Sequence, residues 1–131
     1  MKPIYLTLLM LLFISCNSND DTPDNCIEFH TADIETVTPS AVADATGYFF
    51  DVGFRVINGC GQFYSFEQTT EENVTTIEVV AEYRGCICTQ DYPLRQKMYQ
   101  FTQTLPGTYT LKFKRLDGTF LLQTVTIGTN L

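Results

Sequence analysis

Tyr48-Phe49-Phe50-Asp51-Val52-Gly53-Phe54-Arg55-Val56-Ile57 decides the fold class. Tyr48, Phe50, Val52, Phe54 and Val56 fall on one side of an extended chain, and Asp51, Gly53 and Arg55 on the other. A period of two in aromatic and β-branched residues marks a strand with one face on a core. Asn58-Gly59-Cys60-Gly61 then reads as a turn, because Asn and Gly accept positive φ. Gln62–Phe66 returns from it, with Tyr64 and Phe66 expected inward.

The same period recurs in both directions. Toward the C-terminus, Glu67–Asn73 reads as a polar connection, and Val74–Arg84 as a strand with Ile77, Val79, Ala81 and Tyr83 inside. Gly85-Cys86-Ile87-Cys88 ends that strand, and a loop through Pro93 leads to Met98–Thr104, with Tyr99 and Phe101 inward. Tyr109, Leu111 and Phe113 alternate with Thr110, Lys112 and Lys114; Asp117-Gly118 signals a hairpin into Phe120–Ile127. Adjacent Leu121 and Leu122 predict either a bulge or a strand covered on both faces. Toward the N-terminus, Cys26–Thr31 places Ile27 and Phe29 on one face, and Glu28 and a solvent-facing His30 on the other. A loop follows from Pro39, with at most one helical turn at Ala41–Ala45. About seven strands with regular turn signals and no convincing helix predict an all-β, antiparallel Greek-key sandwich over residues 26–131.

Pro106-Gly107-Thr108-Tyr109-Thr110-Leu111-Lys112-Phe113 resembles the sixth strand of Ig-like domains, where a tyrosine near the strand start bonds back across a corner. The resemblance implies an Ig-like sandwich, with Tyr109 as the corner tyrosine.

The N-terminus supplies an address. Lys2 precedes an apolar run, Ile4–Ile14, that is too short for the roughly 20 residues a membrane-spanning helix needs. Its length suits the apolar region of a signal peptide, with the small residue Ser15 at the cleavage point. Leu12-Phe13-Ile14-Ser15-Cys16 resembles the lipobox of bacterial lipoproteins, which implies that residues 1–15 are removed and Cys16 is acylated. Phe13 departs from the aliphatic residue the family prefers there. Residues 17–25 contain no apolar side chain to bury and read as a disordered tether reaching about 30 Å. Asp20-Asp21 soon after the cysteine resembles the surface-export signal of Bacteroidota lipoproteins, which implies the cell envelope, at the outer membrane and facing outward. The membrane partner is then reached through acyl chains.

Charge narrows the partners further. The chain carries a formal net charge of −7, which opposes nucleic acid and anionic lipid surfaces. His30 is the only histidine, so a His-based triad or a multi-His metal site has nothing to build on. Glu71-Glu72, Glu78 and Glu82 read as solvated carboxylates, and no phosphate loop, nucleophile elbow or calcium loop is present. Neither an enzyme nor a cofactor is expected.

Cys26, Cys60, Cys86 and Cys88 form an even set in an oxidising compartment. Strand order brings all four to one end of the sandwich. A bridge within Cys86-Ile87-Cys88 closes too tight a ring, so Cys26 and Cys60 are each expected to pair with one of Cys86 and Cys88. The alternative for four clustered thiolates is tetrahedral zinc, or copper on the C-x-C pair, making the protein a metal-binding lipoprotein.

The expected function is a lipid-anchored, non-enzymatic binding or adhesion module for a protein or glycan. Recognition is assigned to loops at the end away from the cysteines, including Glu67, Thr69, Glu71 and Glu72, and to outward Phe49 and Phe63 as a sugar platform. An inhibitor of secreted proteases, acting through an exposed loop, is the alternative. An intact mass of the membrane-extracted protein is expected to show acyl chains on Cys16, four hydrogens lost to two bridges, and no metal. A mass with free thiols and a bound ion would move the functional site to the cysteines.

Overall fold

Seven strands follow one another with no helix among the described residues: β1 (Ile27–Pro39), β2 (Tyr48–Arg55), β3 (Gly61–Glu71), β4 (Val74–Arg84), β5 (Leu94–Phe101), β6 (Gly107–Lys114) and β7 (Phe120–Ile127). The structure is a computed structural model that describes residues 26–40 and 47–129. The signal segment, Cys16, the tether and Ala41–Ala45 lie outside the described residues.

β1 is long enough to serve two layers. Ile27–Ala32 pair antiparallel with β4, and Asp33–Pro39 pair antiparallel with β2. A bulge between Ile34 and Thr36 adds Glu35 just after the handover and bends the strand toward the second layer. One layer is therefore β3–β4 with the first half of β1 and the β6–β7 hairpin; the other is the second half of β1 with β2 and β5. Arg55 fixes the bulge: its Nε and Nη2 reach Glu35 Oε1 and Oε2 at 2.6 and 2.9 Å, and its Nη1 donates to the Tyr92 carbonyl at 2.6 Å. The bidentate bond from Arg55 holds Glu35 below the usual carboxylate range.

One pairing is parallel, which the expected antiparallel sandwich did not include. Val74–Ile77 of β4 pair with Thr110–Phe113 of β6. Between them the chain crosses to the other layer as β5 and returns; two reversals bring β6 back in the direction of β4. β4 thus has β1 and β6 sharing one edge and β3 along the other.

The core is the meeting of two alternating rows. Phe50, Val52, Phe54 and Val56 from one layer face Ile77, Val79, Ala81 and Tyr83 from the other, with none more than 4% exposed. Ile34, Tyr99, Leu111, Phe113 and Val125 complete it. An unbroken series of ring contacts crosses the core from Phe50 to Phe113, Tyr99, Phe66, Phe63 and Phe54, with centroids 4.8–6.1 Å apart. Each such pair adds about 0.5–1.5 kcal/mol beyond burial.

Several expected orientations change, each for a local reason. A bulge between Phe63 and Ser65 shifts the phase of β3, so Phe63 packs inward against Phe54 and Phe66 while Tyr64 turns out to solvent. Phe63 is therefore no outward sugar platform; Phe49, by contrast, is half-buried on the side of β2 away from the core. Glu67–Glu71 is not a loop but the end of β3, paired through Glu71 with Val74. Threonines explain it, since Thr70 and Thr75 face each other with hydroxyls 3.0 Å apart, a β-branched cross-strand pair.

In β1, buried Ala32 and Ile34 set the phase; His30 shares their side, 5.4 Å from the Tyr83 ring, yet stays exposed to solvent as expected. Ile27 and Phe29 are exposed, and Phe29 packs edge-on against Tyr64 on the outer surface at 4.7 Å. The Leu121–Leu122 step needs neither a bulge nor double cover: β7 pairs with β6 in continuous register, and Leu122 stays 60% exposed. β5 begins at Leu94, four residues before the expected Met98, because Leu94–Lys97 pair with Val52–Arg55.

Glu72 and Asn73 alone turn β3 into β4, and Glu72 sits at φ 53°. A Cβ makes that left-handed conformation costly by about 1 kcal/mol, a cost glycine avoids. Glu72→Gly is accordingly expected to raise unfolding stability by about 1 kcal/mol in a denaturant titration; a loss of stability would mean the Glu72 side chain holds the turn.

Candidate functional site

The two ends of the sandwich differ in kind. At one end the backbone is stapled. Cys26 at the start of β1 bonds Cys86 after β4, with Cα atoms 5.0 Å apart, and Cys60 before β3 bonds Cys88, with Cα atoms 5.4 Å apart. This is one of the two cross-pairings open to the sequence. All four sulfurs are held in bridges, so none is a thiolate that could ligate zinc or copper. Among the described residues no group of three or more His, Cys, Asp or Glu side chains is placed to hold a metal.

Hydrogen bonds rigidify the same end. Gly85 N donates to the Cys26 carbonyl at 2.9 Å, Cys60 N to Asn58 Oδ1 at 2.9 Å, and Gly59 N to the Thr89 carbonyl at 3.0 Å. Gly85 has φ 136°, and a Cβ there would also crowd Cys60 Sγ at 3.1 Å, so glycine is required between strand and bridges. Arg95 of β5 donates Nε and Nη2 to the carbonyls of Gly61 and Gly59, tying the two layers together at this end.

At the other end lies an open cleft of about 250 Å³ where the β3–β4 turn meets the end of β5. Its lining is mostly amide and hydroxyl, from Gln68, Thr70, Thr75, Gln100, Thr102 and Gln103, with the Glu72 carboxylate at the turn. Tyr99 forms the floor and donates its hydroxyl to Gln68 Oε1 at 2.7 Å. Burial pushes the Tyr99 phenol up to about 12. Gln103 Oε1 accepts from Thr104 N and Leu105 N at 3.0 and 3.1 Å, shaping one wall, and Tyr109 donates to the Leu105 carbonyl at 2.8 Å. Asn73 ties the β3–β4 turn to β6: its Nδ2 donates to the Thr108 carbonyl, and its carbonyl accepts from Thr110 N. The arrangement can offer several fixed neutral donors and acceptors at once.

The binding residues expected from the sequence do not act together. Glu72 alone reaches the cleft. Thr69 and Glu71 face the opposite side of β3, along a shallow outer groove with Val74, Thr76 and Lys112. Glu67 accepts from Ser65 Oγ at 3.3 Å and lies across the strand pair from Glu78, whose charge Lys114 meets at 2.6 Å. Phe49 and Phe63 line neither. Gln68, Thr70 and Gln103 were missed. Once β3 is continued through Glu71, Gln68 and Thr70 follow the inward phase of Phe66, and polar residues in that phase near a strand end are the readable signal.

Residues 50–127, well over half of the chain, match the family described as the ORF11 beta-sandwich domain. No curated protein and no solved structure matches the chain.

Two outcomes follow from this geometry. Replacing Cys60 and Cys88 together by Ala is expected to cost roughly 3–4 kcal/mol, and replacing Cys26 and Cys86 roughly 4, because the 60-residue separation closes the longer loop. Denaturant titration of both pairs checks the order. Tyr99, neutral in the fold well above the ordinary phenol range, contributes stability that is full below pH ~10 and lost as pH rises toward about 12. Tyr99→Phe should flatten that alkaline decline, and an unchanged slope would assign it elsewhere.

Proposed function

We propose that this chain, which belongs to the ORF11 beta-sandwich domain family, is a lipid-anchored binding module of the bacterial envelope that takes a protein or glycan ligand in the cleft beside Glu72. Acylation at Cys16 and a tether through residue 25 deliver the domain to the membrane from its stapled end. The corner bond from Tyr109 to the Leu105 carbonyl supports an Ig-like Greek-key reading of the sandwich. Membrane attachment rests on the lipobox resemblance and the acidic tether.

The observation that carries the reading is the division of labour between the two ends. The bridges and Arg95 fix the end that follows the tether, so the opposite cleft is held by a rigid body. That cleft collects Gln68, Thr70, Gln100, Thr102 and Gln103, a neutral set suited to hydroxyl and amide groups of a ligand. Loops and strand ends on a rigid sandwich are where such folds place recognition. Because its groups are polar and uncharged apart from Glu72, binding should depend little on salt.

Thr102→Trp tests this, because it fills the cleft from an exposed position. Isothermal titration against a panel of soluble oligosaccharides and envelope-protein ectodomains should find a ligand for the wild type. That ligand should weaken about ten-fold or more in Thr102→Trp, at unchanged melting temperature. A ligand bound equally by both proteins would place recognition away from the cleft.

A further inference from the structure

We propose that the free edge of β7 pairs antiparallel with β7 of a second copy of this chain, so that the protein works as a two-fold dimer with one continuous sheet through both molecules. Five stretches end a layer among the described residues: β3, β7 and the first half of β1 in one, β5 and the second half of β1 in the other. Open edges invite further strands, and proteins guard them with charge, proline, bulges or cover.

Four of the five edges are guarded. The first half of β1 carries Glu28 and His30 and is pinned at its start by the Cys26–Cys86 bridge. β3 has a bulge at Tyr64, carries Glu67 and Glu71, and has Arg95 bonded to the Gly61 carbonyl at its start. β5 carries Arg95 and Lys97. The second half of β1 has its own bulge, Asp33, Glu35 and a terminal Pro39. β7 has none of these: Phe-Leu-Leu-Gln-Thr-Val-Thr-Ile contains no charge, no proline and no glycine, and its register with β6 is unbroken over eight residues.

The hydrogen bonds show which groups this edge offers. Arg115 N donates to the Thr119 carbonyl, which makes 115–119 a bonded pair of the hairpin. Bonded and non-bonded pairs alternate along an antiparallel ladder. Leu121, Gln123 and Val125 therefore bond β6, while Phe120, Leu122, Thr124 and Thr126 direct their backbone groups outward. The Tyr48 hydroxyl confirms the phase by reaching the outward Thr126 carbonyl at 3.2 Å. Phe120, Leu122 and Thr124 remain for a new strand.

A second copy suits this edge. With the two-fold axis at Leu122, the antiparallel pairing sets Leu122 against Leu122 and Phe120 against Thr124 twice, forming about six inter-copy hydrogen bonds, two for each facing pair. Leu122, 60% exposed in one copy, then covers its own equivalent, and an aromatic–β-branched pair flanks it on each side. Each chain carries −7, yet no charge lies on either strand of the seam, so the acidity that otherwise opposes self-association is absent there. The symmetry closes, as an isologous two-fold contact does.

Leu122→Cys tests the pairing in the full chain, secreted into an oxidising compartment. A bonded antiparallel pair has Cα atoms about 5.5 Å apart, within disulfide reach. On a non-reducing gel Leu122→Cys should run at twice the chain mass, whereas Met98→Cys, exposed on β5, should not. Adding Thr124→Pro removes one outward N–H without touching a bond to β6, and should cut the linked dimer about ten-fold or more. Thr124→Lys, which guards the edge while keeping its N–H, should act the same way and covers the case in which proline prevents folding. A monomer in Leu122→Cys, equal dimer in Met98→Cys, or dimer indifferent to both Thr124 changes would each overturn the proposal. So would an adduct of any other mass, since the edge would then be taking a foreign strand.

Discussion

Every feature of the molecule depends on one burial: the row Phe50, Val52, Phe54 and Val56 against the row Ile77, Val79, Ala81 and Tyr83. Fully burying one large apolar side chain is worth about 1.5–3 kcal/mol, so these two rows outweigh any polar contact on the surface. They fix which face of β2 and β4 looks inward. With those faces fixed, each strand paired to them inherits its phase, because a slip of one residue would expose the whole row. β1 shows the force of this constraint. Ala32 and Ile34 must meet the core, and Phe29 is therefore sent to the surface, where Tyr64 receives it.

Polar chemistry is left to the ends, and the two ends use it differently. At the cysteine end it removes freedom: two bridges, the Arg95 bonds and a required glycine fix the turns to one another. At the cleft end it stays accessible, with Gln68, Gln103 and the hydroxyls of Thr70 and Tyr99 held by short local bonds above the aromatic floor. Rigidity at one end and a shaped polar surface at the other are complementary, since fixed donors and acceptors bind a ligand with less ordering cost. The proposed seam along β7 lies on the flank between these ends. A dimer built there leaves both clefts open, and two linked sites bind a repeated ligand more tightly than either alone.

The outer surface carries its own balances. Glu67 and Glu78 face each other across β3 and β4, an unfavourable like-charge pair, and Lys114 from β6 relieves it. That contact exists only because β6 lies beside β4 in parallel, which follows from the excursion of β5 into the other layer. Glu35 and Arg55 are likewise brought together by a bulge. In both cases the partners are far apart in sequence, and the sheet topology places them.

The residues by themselves determined the class of fold, the number of strands and nearly all of the core, because period-two alternation is written locally wherever one face is buried. The inward sets of β2, β4 and β6 were legible for that reason, and so was the gathering of four cysteines at one end. Only the tertiary structure decided the phase of β1 and β3, the parallel β4–β6 contact and the composition of the cleft. A bulge adds a single residue and carries no strong local signature, yet it puts the side chains before and after it in opposite phase; at Tyr64 it lets Phe63 face inward together with Phe66, whose phase runs on to Gln68 and Thr70 at the cleft. Which strand follows which was local information. Which strand lies beside which, and so which edge was left open, was settled by the packing of the two layers.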